Sequence, residues 1–131
     1  MVKLGHLQSS DIVMVNEEGL LREGTVIETN RGENMILIDN GTQEFWYHPQ
    51  DVFPVALDED QMLKFGFEKE FFEGVDKYKK GAFRLITPIS GNFSKLEMWY
   101  REDHRHFNVP IAVHEFQNLH SSMTKVPLER V

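Results

Sequence analysis

The chain has 131 residues, 40% of them hydrophobic and 27% charged, with no cysteine and a formal net charge of −7. Such a composition suits one ordinary globular domain or two very small ones, and it excludes a disordered tail, a disulfide scaffold and thiol chemistry. No apolar run approaches the roughly 20 residues of a membrane helix. The start, Val2-Lys3-Leu4-Gly5-His6, lacks the apolar core of a signal peptide, so a cytoplasmic protein with no membrane partner is expected. The charge is unevenly placed. Residues 1–56 carry three Lys/Arg against nine Asp/Glu, a balance of −6, which makes the front half a poor general binder of nucleic acid.

From residue 11 to 56 short apolar runs are separated by turn residues. Asp11 to Asn16, Gly24 to Thr29, Glu33 to Ile38 and Thr42 to Tyr47 read as strands, with a turn at Glu17-Glu18-Gly19 and a tight hairpin at Asn40-Gly41. Asp51-Val52-Phe53-Pro54-Val55 reads as a closing turn and edge strand. Five short strands in so little chain predict an SH3-like small β-barrel over residues 1–57. The segment Tyr47-His48-Pro49-Gln50-Asp51-Val52-Phe53-Pro54-Val55 resembles the closing segment of ribosomal-, Tudor- and SH3-type barrels.

Asp58-Glu59-Asp60 leads a two-turn helix that should stop at Gly66. Beyond it, Phe67–Phe72, Ala82–Thr87 and Phe93–Arg101 alternate as strands, and residues 74–81 read as an exposed turn with a basic tip. Glu102–Arg105 reads as a turn, and the tail after Lys125 as a short edge strand. Pro110 marks the start of a helix over residues 111–123, whose apolar stripe is Val113, Phe116, Leu119, His120 and Met123. Residues 58–131 are therefore expected to form a helix, an antiparallel β-meander of about four strands and a C-terminal packing helix. The whole is an α+β protein whose two halves pack together, since no flexible linker divides them.

Two stretches, Leu63-Lys64-Phe65-Gly66-Phe67-Glu68-Lys69 and Val113-His114-Glu115-Phe116-Gln117-Asn118-Leu119, resemble short uncharacterised proteins of Bacteroidetes genomes and their phages. The resemblance implies a barrel-like front half, a meander, a closing helix and an accessory, phage- or prophage-type role. It transfers no catalytic residue.

The chemistry-bearing residues form three groups. Trp46 and His48, with Asp51 nearby, share one face of a strand and suit an aromatic groove, although core and rim positions explain them as well. Trp99 and Tyr100, with Arg84, Lys95 and Arg101, interleave aromatic and positive side chains as a nucleotide or ring-bearing ligand would require; a meander with one apolar face is the plainer reading. Glu102, His104 and His106 alternate and are the weak candidates for metal ligands, against a reading as a solvated hairpin corner. Phosphate loops, nucleophile elbows and cysteine nucleophiles are absent from the sequence, so no enzyme and no cofactor are expected. The reading that results is a non-enzymatic binding protein that recognises a host protein through its acidic aromatic barrel. The alternative is a small-ligand or nucleotide binder that sequesters a host defence signal. Self-association is compatible with either.

Overall fold

The alternation around Val13 and Val15 folds as the first strand, β1 (Ile12–Glu17), in a computed structural model that describes residues 2–131. Antiparallel pairing with β2 (Leu20–Asn30) sets Glu17 opposite Leu20 across the Glu18-Gly19 turn. β2 begins at that turn, four residues before the expected Gly24. It pairs β1 through Thr25 and then β3 (Met35–Asp39), with a register shift between Val26 and Glu28 that bends it between its two partners. β4 (Glu44–Tyr47), a single 3-10 turn (Pro49–Asp51) and β5 (Val52–Phe53) complete an antiparallel sheet of order β4-β3-β2-β1-β5. The sheet does not close, because its end strands β4 and β5 do not pair. Val13, Val15, Val26, Ile36, Ile38, Tyr47 and Val52 are buried together as its core.

The Asn40-Gly41 hairpin is wider than expected. Asp39 pairs Glu44 and leaves four residues in the loop. The buried Asn40 explains this, since its Oδ1 accepts from the backbone N–H groups of Thr42 and Gln43 and from the Thr42 hydroxyl. Its side chain thus serves as the inner lining of a longer loop.

By density of contact the chain divides into two units, one running through Val55 and taking in Ala112–Asn118, the other comprising Ala56–Ile111 and Leu119–Val131. In the second unit α1 (Glu59–Lys64) forms where the sequence predicts a short helix, and the Asp58 carboxylate caps it by accepting from Gln61 N–H at 2.9 Å. Gly66 stops the helix at φ 86°, a left-handed conformation in which the Gly66 and Phe67 amides reach back to the carbonyls of Leu63 and Met62.

Five strands follow, not about four: β6 (Glu68–Phe72), β7 (Val75–Lys80), β8 (Phe83–Thr87), β9 (Leu96–Tyr100) and β10 (Asp103–Phe107), paired in sequence order as one meander. Residues 75–80 are a strand rather than a basic turn. The turn itself is only Glu73-Gly74, both at positive φ, as a two-residue hairpin demands. Residues 103–105 belong to β10, so that turn too shrinks to Arg101-Glu102. Tyr78, Phe83, Leu85, Leu96 and Met98 supply the buried face. No strand forms after Lys125; the tail is held instead by Val131 N–H on the Lys64 carbonyl.

The last helix, α2, spans Val113–Thr124, two residues later than Pro110 suggested. The Glu115 carboxylate reaches back to the Ala112 N–H at 2.8 Å, so the cap falls at Ala112. Val113, Phe116, His120 and Met123 are buried as the stripe predicts and Leu119 is half-buried, but His114 and Gln117 are buried as well. The helix is therefore not a roof for the meander alone, since Ala112–Asn118 belong with the first unit. There Gln117 acts as a clamp: its Oε1 accepts from Ile12 N–H and its Nε2 donates to the Ser10 carbonyl, both at 2.8 Å.

Beside that clamp lies Asp11. Burial pushes its carboxyl up to about 6, against the opposing pull of the Gln8 N–H and the Asn118 amide. A raised pKa in the folded state means the stability this group contributes is fully present below pH ~3.8 and is lost as pH rises through about 6. Asp11→Asn keeps the acceptor without the charge. Relative to the parent it should gain on the order of 2 kcal/mol between pH 4 and pH 7, read by urea unfolding at both values.

Candidate functional site

Two exposed surfaces carry chemistry-bearing side chains. The first lies on the opening hairpin of the first sheet. Leu20 and Leu21 follow the Glu18-Gly19 turn directly, and two adjacent strand residues cannot both face a core. Leu20 is 75% exposed and Phe45 50%. With Glu17, Glu18, Arg22 and Gln43 these three line an open concavity of about 660 Å³. Its polar side is rigidly built. Tyr47 donates to Glu17 Oε1 at 2.6 Å, Asn40 Nδ2 donates to the same oxygen at 2.9 Å, and Arg22 pairs with Oε2 at 3.0 Å. The Tyr47 hydroxyl, helped by Arg22 and Asn40, holds the Glu17 carboxyl below its ordinary range, while burial and Glu17 push the Tyr47 phenol up.

Trp46, one residue beyond Phe45, points to the other face of β4 and is 40% exposed; His48 is exposed and Asp51 half-buried in the 3-10 turn. The aromatic pairs of β4 do not divide into one buried and one free. Only Tyr47 is buried, because β4 is an edge strand and Phe45 has little to cover it.

The second surface is the outer face of the meander. Register places Lys79, Arg84, Trp99 and His104 in one row across four strands, and Lys77, Ile86, Glu97 and His106 in the next. Trp99 and Tyr100 do not act together, since consecutive strand residues face opposite ways. Trp99 lies outward and stacks on His104, with ring centres 3.4 Å apart. Tyr100 lines a separate concavity of about 310 Å³ with Lys80, Phe83, His120 and Leu128. Arg101 sits in the β9–β10 turn with its guanidinium 5.1 Å from the Tyr100 ring centre. Arg84 Nη1 donates to the carbonyls of Gly81 and Phe83, and Lys95 is exposed just ahead of β9.

Of the expected metal-ligand set, His104 and His106 share the outer face of β10, but Glu102 lies in the turn. Its place is taken by Glu97, directly opposite His106. Glu97 Oε1 accepts from Trp99 Nε1 at 3.2 Å and lies 3.4 Å from His104 Nε2.

The two sheets and their helices define an antiparallel α+β protein. No helix among the described residues is long and apolar enough to cross a membrane. The chain matches no family model, no curated protein and no solved structure.

Proposed function

We propose that the protein is a non-enzymatic binding module of the accessory, phage type, and that the Leu20–Leu21–Phe45 concavity of its first sheet receives a segment of a host protein. One observation carries the reading: three apolar side chains stand exposed around one open hollow on the most acidic part of the chain. Adjoining apolar groups in water with a charged rim are what a protein interface leaves on its free surface. Glu17 is already engaged by Arg22, so Glu18 and the surrounding acidic residues favour a partner segment with a basic side chain beside an apolar one. An SH3-like module is the architectural form of this reading. Its support is the strand order, the 3-10 turn before β5 and a bent β2 shared between β1 and β3.

A peptide library selected on the immobilised full chain should yield basic–apolar sequences. Leu21→Glu combined with Phe45→Ser should weaken their binding at least about tenfold while the circular dichroism spectrum is kept. Binding that survives both substitutions would overturn the proposal.

A second reading, a nucleotide-like ligand on the meander, is favoured by the outward row of Arg84, Trp99 and His104. It takes over if the selected peptides ignore the double substitution and nucleotides quench Trp99 fluorescence instead.

A further inference from the structure

The cluster on the outer face of β9 and β10 is not used by the proposed partner surface. Glu97, His104 and His106 each offer one ligand atom, and these atoms lie within 4.8 Å of one another. We infer that this trio is a binding site for a divalent transition-metal cation, with Zn2+ as the best-matched ion.

The donor set is two imidazole nitrogens and one carboxylate oxygen, which suits zinc and its neighbours and is poorly suited to calcium or magnesium. The backbone supplies the geometry. His104 and His106 are two apart on one strand and so share a face, while the β9–β10 register sets Glu97 directly across from His106. A two-residue turn locks that register, so the three side chains are presented by paired strands and not by a loop.

A tetrahedral zinc draws its ligand atoms to about 3.4 Å from one another. Closing from the present spacing calls on the His104 and Glu97 side chains, which are 32% and 24% exposed, to turn toward the ion. Two of the ligands are already oriented. The Trp99 indole stacks on the His104 ring, and its N–H donates to Glu97 Oε1, the kind of outer-shell bond that fixes a ligating carboxylate. The His104 and His106 ring centres are 4.4 Å apart and tilted at 51°, so the rings are not stacked flat against each other. Three protein ligands leave at least one coordination position to water.

The test uses the full chain without a polyhistidine tag and with Trp46→Phe, which leaves Trp99 as the one tryptophan. Titration with Co2+ or Ni2+ should quench Trp99 saturably at one ion per chain, and Zn2+ should reverse the quenching. His104→Ala, His106→Ala and Glu97→Gln should each weaken binding by about tenfold or more, with the circular dichroism spectrum unchanged. His48→Ala, just after β4, should leave it unaltered. Quenching that never saturates, or that persists when both His104 and His106 are replaced, overturns the inference.

Discussion

Phe83→Ala is expected to lower the unfolding free energy by about 3–5 kcal/mol and the melting temperature by ~15 °C. Phe83 opens β8, the middle strand of the meander, and is essentially inaccessible to water. Its ring meets Phe67 edge-on at 6.1 Å and lies 4.8 Å from the imidazole of His120. Truncation therefore removes a buried ring, opens a cavity in a closely packed layer and dissolves two ring contacts at once. The histidine supplies an independent readout. Burial holds His120 below its ordinary pKa, against the pull of the Val126 carbonyl. If the cavity admits water, the His120 titration seen by NMR should move up towards the free value, whereas Phe83→Leu should leave it low. A loss of less than about 1 kcal/mol for the alanine variant would show that this cluster does not hold the sheet.

Gln117→Met is the second large effect, about 2–4 kcal/mol, and it separates polar from apolar contributions because the volume is nearly kept. The Gln117 amide satisfies a donor at Ile12 and an acceptor at Ser10 where the chain enters β1. A thioether replaces neither bond, and the cost of a buried polar group deprived of its partner is ~1–3 kcal/mol each. Hydrogen exchange at the Ile12 amide should accelerate in step with the loss of stability. Gln117→Glu should restore part of the first bond while setting a carboxylate against the Ser10 carbonyl, and so should be no better than methionine. Equal exchange at Ile12 in parent and variant would remove the clamp from the account.

Much of the fold was legible where turn chemistry and hydrophobic period agreed. Glu17-Glu18-Gly19, the Asp58 cap, the Gly66 stop and the apolar stripe of α2 all lie close to where residue type alone places them. β7 was hidden because its inward positions are Asp76 and Tyr78, so no apolar period shows. The buried Asp76 has its Oδ2 held by the Ser90 hydroxyl and the Gly91 N–H, while its Oδ1 has, among the described residues, no hydrogen bond and only Lys69 Nζ 3.8 Å away. β10 was hidden for a related reason: Asp103 and Arg105 pair along one face and two histidines occupy the other. Missing β10 also concealed Glu97. Once the turn is confined to Arg101-Glu102, counting back across the ladder brings residue 97 opposite residue 106. The exposed Leu20-Leu21 pair was readable in principle, as two apolar neighbours at the mouth of a hairpin cannot both turn inward.

The two short strings around Gly66 and Gln117 turn out to be fasteners. One is a helix-stop whose glycine and following phenylalanine fold the amides back; the other supplies the side-chain staple at the mouth of the first strand. Selection on a fastener preserves shape whatever the molecule touches. Substitutions at the hairpin mouth and on the histidine-bearing strand should therefore change what the molecule holds and leave its scaffold as it is.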